Sequence, residues 1–315
     1  MTDEPTQPTI DDGFPPKPEL QQNESMLPKL IFSLLLFVLA YYVFFDKDIK
    51  KMAILVVVLL IHELGHFLAM KFFRYTDVKM FFIPFLGALV TGEKEEVSQK
   101  QRAIILLAGP VPGILIGAVL YYAGVQTGNR DFLSTASIFI FLNAANLLPL
   151  TPLDGGRLIQ TLFFSRQALL SNTFSVISAV IMTVLAIRYK LYSLLIIPFF
   201  MITRARQLSA VKTLKANLAM RGIEYNKPYD ALSNREYWLI REQLVSDIPG
   251  FTNVDGHIYQ PSSRERQIIQ HVRGLAERHP IQDLGPGGII LFTLIWFLFL
   301  GIPSAGLAVV IYNRM

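Results

Sequence analysis

Residues 52–73 read MAILVVVLLIHELGHFLAMKFF, an apolar run that nevertheless holds His62, Glu63 and His66. About 20 helical residues cross a hydrocarbon core, so this run is long enough to span one. On a helix, positions i and i+4 share a face, and both imidazoles can reach a single ion. Glu63 follows the first histidine and can face a water bound to that ion. In a soluble sequence this five-residue pattern would be a weak signal. Inside a span each ionisable group is costly unless it is paired or functional. The competing reading is a polar cluster that hydrogen-bonds between helices, but ionisable residues at that depth are functional by default.

The rest of the chain agrees with a bilayer setting. Of its 315 residues 52% are hydrophobic and only 17% are charged, against about 25% charged in ordinary soluble domains. Apolar runs that read as spans cover 27–45, 52–73, 103–125, 132–150, 172–187 and 287–312. Residues 191–203 are short and read as a further span, a tilted segment or a half-span. Gly109, Gly113 and Gly117 stand four apart and let another backbone approach one face, while Pro110 and Pro112 should kink the same helix. The run 81–90 is apolar but interrupted by Pro84 and Gly87. It is too short to cross, so it reads as a re-entrant loop or β-hairpin buried against protein, or as a loop lying on the membrane surface.

Composition divides the chain into an expected disordered, Pro-rich tail (1–26), a membrane core of about six spans (27–203), a polar domain (204–286) and a last helix (287–315). The polar domain should be α+β or mostly helical. Ser233 with Glu236 and Ser262 with Glu265 have the spacing of capping boxes, and Asp255-Gly256 reads as a turn. Its histidines, His257, His271 and His279, read as surface residues. The fold expected is an all-α polytopic membrane protein with one short re-entrant β or loop segment and a small soluble domain near its C-terminus.

Positive charge gives an orientation. Lys71, Arg74, Lys79, Lys94, Lys100 and Arg102 lie between the second and third spans, and five more basic residues follow Thr203. The loop before residue 132 holds only Arg130. Placing the basic segments inside puts the N-terminus and the polar domain in the cytoplasm, although the lysines near Lys47 then lie outside. The net charge of +5 thus reflects membrane anchoring and carries no nucleic-acid signal. With no cysteines, a transition metal has only histidine and carboxylate ligands to draw on.

A zinc site takes a third protein ligand and keeps one position for water. Between residues 103 and 156 the only charged side chains are Arg130, Asp131 and Asp154. Asp154 ends the fourth span, at a depth compatible with His62 and His66, and could instead cap the helix that follows it.

His62 to His66, together with Asn146-Leu147-Leu148-Pro149 and Leu153-Asp154-Gly155-Gly156, resembles the site-2 protease family of intramembrane zinc metalloproteases over residues 52–157. The resemblance implies one zinc ion per chain on His62, His66 and Asp154, with Glu63 as the catalytic base. It places Asn146 against substrate or oxyanion and makes the region 81–92 the family's re-entrant β segment. The implied substrate is a transmembrane protein or peptide in the lipid bilayer of the cell membrane, cut in regulated proteolysis or protein turnover. One departure stands out. Many members carry an asparagine three residues after the Gly-Pro of the middle span, and this chain has Gly113 there. The other class of function is an inactive metal-binding scaffold or a transporter. The sequence assigns no oligomeric state, no cleavage sequence and no role for the polar domain.

Overall fold

The computed structural model describes residues 13–19, 26–44, 48–84, 87–94, 97–248, 250–251, 259–276 and 281–312. They form two compact units, Ser25–Met201 with His279–Met315, and Met1–Glu24 with Ile202–Arg278.

The first of these is the membrane unit. Helix α1 (Met26–Phe44) precedes α2 (Ile49–Phe72), whose start is capped by the Asp48 carboxylate accepting from the backbone of Lys50 and Lys51. The chain then turns into an antiparallel hairpin, β1 (Thr76–Ile83) and β2 (Gly87–Glu93), in the register Met80 to Val90 and Phe82 to Ala88. Val78, Met80 and Phe82 alternate inward, as period-two backbone requires. Gly87 begins the second strand at φ +97°, a conformation that favours glycine. Between the choices of re-entrant hairpin and surface loop, the hairpin is the one formed, with Phe82 N–H donating to Ser33 Oγ of α1 at 3.1 Å.

The third span is two helices, α3 (Gln99–Ala108) and α4 (Pro110–Thr127), broken where Gly109-Pro110 interrupts the hydrogen-bond ladder. Helix α5 (Arg130–Asn146) starts at an Asn129 cap and stops four residues before the expected end. A loop then leads to α6 (Asp154–Phe163), a short amphipathic helix that the apolar-run reading did not separate. Helix α7 is Ala168–Arg188. The segment 191–203 does not stop as a helix at Thr203. A 3-10 turn (Tyr192–Leu195) opens into α8, which runs unbroken from Ile196 to Met220. The change to charged residues at Arg204 marks a change of solvent, and α-helical hydrogen bonding continues across it. Four helices, counting α3–α4 and the Tyr192–Met220 segment as one each, are long and apolar enough to cross a membrane. Leu27–Val43 and Pro286–Gly301 add shorter apolar stretches, the latter within α11 (Pro286–Tyr312). The protein is a multi-pass membrane protein. Leu35, Leu39, Val176, Val180 and Val184 are exposed, the arrangement expected where lipid replaces water.

In the other unit the described residues form helices and no strand. Helix α9 (Asn234–Asp247) begins with a complete Ser233–Glu236 capping box. Helix α10 (Glu265–Arg273) has half of one: Glu265 reaches back to the Ser262 N–H, but the Ser262 hydroxyl donates to that carboxylate instead of accepting from the helix. Leu214 and Leu218 from α8 join Trp238, Ile240, Leu244, Ile268 and Leu275 in one core, each such side chain contributing roughly 1.5–3 kcal/mol on burial. His271 is exposed, while His257, His279 and the Asp255-Gly256 turn lie outside the described residues. Residues 13–19 depart from the disorder expected of 1–26, because Pro15, Lys17 and Pro18 are hydrogen-bonded to this core's rim.

Candidate metal centre

Helix α2 presents His62, Glu63 and His66 on its buried side. One turn of helix sets the two Nε2 atoms 3.2 Å apart. The Asp154 Oδ2 atom lies 3.1 Å from that of His62 and 3.2 Å from that of His66. Atoms held at about 2.0–2.1 Å from a tetrahedral ion stand roughly 3.3–3.4 Å apart. The three atoms therefore outline one face of such a polyhedron.

The tautomers settle the chemistry of that face. His62 Nδ1 is 2.8 Å from Asn143 Oδ1, and Asn143 Nδ2 donates to Phe139 O, which fixes the amide with its oxygen toward the ring. His66 Nδ1 is 2.8 Å from the Ile105 carbonyl. Both Nδ1 atoms face acceptors and so carry the protons. Each neutral ring then turns an Nε2 lone pair toward the Asp154 carboxylate. Three donor atoms thus converge, an arrangement that a divalent cation would satisfy. The donor set fits zinc: two oriented imidazoles and a carboxylate, with nitrogen and oxygen donors only. Among the described residues this is the group of metal-ligating side chains that converges in this way.

Small residues make the convergence possible. A Cβ on Gly65 would sit 1.9 Å from the Ala108 carbonyl oxygen, and one on Gly109 would sit 2.3 Å from His66 Nε2. Helices α2, α3 and α4 thus meet closer than any side chain would permit. At the other ligand, a Cβ on Gly155 would be 2.0 Å from Leu147 O, and one on Gly156 would strike the backbone at Leu150. The loop 147–153 therefore lies directly against the first turn of α6. Trp296 of α11 anchors it by donating to Leu147 O at 2.8 Å. Asp154 is the first residue of α6, Leu153 occupies the cap position, and no side chain caps the helix. The alternative role for Asp154 is not the one adopted.

Residues 51–134 match Peptidase family M50. That segment, which holds His62, Glu63 and His66, is similar to this family. Two curated relatives agree: Stage IV sporulation protein FB of Bacillus subtilis (strain 168), 34% identical over 123 residues, and Zinc metalloprotease MJ0392 of Methanocaldococcus jannaschii, 27% identical over 125 residues. Each alignment covers 38% of this chain, and 41% and 36% of the respective relatives, so the chain spans about two fifths of their lengths. The solved Site-2 Protease from Methanocaldococcus jannaschii aligns over 56% of this chain and 86% of its own, with 22% identity and a TM-score of 0.41. The family match contains the two histidines and Glu63 but stops before Asn143 and Asp154, which the geometry alone brings to them.

Within the segment similar to Peptidase family M50, Gly113 is accounted for by what stands beside it. A Cβ there would fall 2.1 Å from Asn143 Nδ2. The amide from α5 occupies the space that a larger residue on α4 would need, and polar support reaches His62 from α5. Sequence reading missed Asn143 because attention fell on Asn146, three residues on. Asn146 is half-buried, and its Nδ2 donates to Leu142 O at 3.2 Å, outside the hydrogen bonding of the histidines. Glu63 is buried, and His66, His62, Asp154 and Arg157 are the charged or titratable groups around it. In the same loop Thr151 Oγ1 is, among the described residues, the buried side-chain polar atom without a partner.

Proposed function

We propose that this protein is an intramembrane zinc metalloprotease of the M50 type that hydrolyses peptide bonds in transmembrane proteins, serving regulated proteolysis or membrane-protein turnover. The observation that carries the reading is the triangle of His62 Nε2, His66 Nε2 and Asp154 Oδ2 with edges of 3.1–3.2 Å, formed at the depth of apolar helices. His62, His66 and Asp154 would hold one zinc ion per chain. Bound there, zinc supplies Lewis acidity, acidifying water and polarising the scissile carbonyl.

The chain's own groups supply the remaining steps. Glu63, one residue from the first ligand, takes the proton of the attacking water and passes it to the leaving amine. Asn146 keeps one amide hydrogen free of Leu142 and donates it to the developing oxyanion, a class of contact worth roughly 3–4 kcal/mol. A transmembrane helix hides its backbone in its own hydrogen bonds, so it must unwind to be cut. Strand β2 supports the extended form: α1 closes the β1 side through Ser33, and β2 carries the sheet's other edge, where a strand can be added. Water and the polar domain would both lie on the cytoplasmic side.

The test is Glu63→Gln in the purified protein. Cleavage of a transmembrane substrate should fall by at least about a hundredfold, while bound zinc, measured by metal analysis, stays near one per chain. Retained cleavage would reject the base assignment, and a chain that never loads metal would reject the site. Comparing membrane proteomes of wild-type and Glu63→Gln cells should then reveal uncut substrates.

A further inference from the structure

Residues 13–18 read Gly-Phe-Pro-Pro-Lys-Pro and lie in a groove lined by aromatic residues. Trp238 Nε1 donates to Pro15 O at 2.7 Å, and the Tyr229 hydroxyl donates to Pro18 O at 2.6 Å. Carbonyls 15 and 18, three residues apart in sequence, are the two that accept from these side chains. Phe14 packs edge-on against Tyr259, with ring centres 5.0 Å apart, and Tyr259 is in turn 6.2 Å from Trp238. Lys17 fixes direction. Its ammonium donates to the carbonyls of Tyr229, Asp230 and Leu232 at 2.6–2.9 Å and stands 5.2 Å over the Tyr229 ring. Its backbone N–H donates to Asn234 Oδ1 at 3.0 Å.

An indole and a phenol donor on carbonyls three residues apart, an aromatic slot and a cation cage are the chemistry by which proline-rich segments are recognised. A structural strap would need none of this register. We propose that the soluble unit is a recognition module for segments of the pattern Phe-Pro-Pro-Lys-Pro, and that residues 13–18 are its built-in ligand. The site is independent of the protease reading. Tethering gives the tail an effective concentration on the order of millimolar, so a rival segment displaces it only at comparable concentration.

The test uses the full-length chain in detergent and a fluorescent peptide of residues 12–19, followed by anisotropy. Wild-type protein should bind it only near millimolar concentrations. Lys17→Glu sets a carboxylate among three carbonyls, empties the groove, and should tighten peptide binding about tenfold or more. Adding Trp238→Phe, or placing glutamate at the lysine position of the peptide, should remove that gain. Equal binding by wild type and Lys17→Glu, or binding by neither, overturns the proposal. A second measurement does not depend on Lys17→Glu folding. Pro16 is exposed and the chain has no cysteine, so Pro16→Cys can carry a single bimane label next to Trp238. Indole quenching should be present and relieved by excess unlabelled peptide. No quenching, or quenching that survives saturating peptide, would make the tail a fixed part of the fold and sink the idea.

Discussion

Asn143 is the side chain on which the proposed zinc site most depends outside the ligands themselves. Its Oδ1 accepts a hydrogen bond from His62 Nδ1–H, and its own Nδ2 donates to Phe139 O. Partners of this kind typically change metal affinity or activity by 10–100-fold when removed. Asn143→Ala should therefore weaken zinc retention by about that factor in a chelator competition, with the chain still folded. An unchanged zinc affinity would show that ring orientation is fixed elsewhere. His62, Glu63 and His66 were readable because charge inside an apolar run is expensive and their spacing is helical. Asp154 was readable because so few charged residues lie nearby. Asn143 was not: a neutral amide in a span looks the same whether it faces lipid, a neighbouring helix or a ligand. Only the helix phase of α5 against α4, set by Gly113 and Gly117, distinguishes it from Asn146.

Among elements, the packing of α2 on α3 carries a sharp expectation. Gly65→Ala would press a methyl group into the Ala108 carbonyl, a backbone atom that cannot swing aside. Overpacking of this sort costs about 1–3 kcal/mol. Here it would also move His66 relative to Asp154. Thermal denaturation in detergent should show a lower midpoint, and zinc content should fall with it. The hairpin invites a different experiment. Leu89 lies in β2, paired with Phe81 and partly exposed at 36%. Leu89→Pro should slow cleavage of a helical transmembrane substrate much more than that of a short, already extended peptide. Equal slowing would count against strand addition. Most spans were legible from apolar runs of sufficient length. The break at Gly109-Pro110 was visible as a kink. The passage of α8 through Thr203 was not, because composition records the solvent around a helix and says nothing of where its hydrogen bonds stop.

At the scale of the whole molecule, the proposed topology takes α1, α2, α3–α4, α5, α7 and α8 as six crossings between the tail and the polar domain. An even number of crossings returns the chain to the side it left. The Lys50–Asp131 ion pair, at 2.8 Å, joins the first turns of α2 and α5, which this count puts on the opposite face. Single cysteines at Pro16, Glu242 and Gly128, labelled with an impermeant maleimide in oriented vesicles, should report the first two together and the third apart. The soluble unit has its own acid limit. Burial alone would raise the Glu265 carboxyl, but hydrogen bonds from Arg241, the Ser262 N–H and Tyr237 hold it below the usual carboxylate range. A depressed value in the folded state means that this stabilisation is complete above the ordinary glutamate value of about 4.5 and is lost as pH falls through the lower folded one. Glu265→Ala should cost about 3–5 kcal/mol near neutrality, because it strands a buried guanidinium, and should flatten the acid limb of a pH–stability curve.

The two neutral imidazoles held by the Asn143 and Ile105 oxygens have an electrostatic corollary. Had carboxylates oriented those rings, the buried cluster would carry two more negative charges. A divalent ion held there would offset the negative charge of Asp154 and of an ionised Glu63, at a depth where lipid tolerates net charge least. Occupancy by a doubly charged ion and residence in the bilayer would thus favour each other.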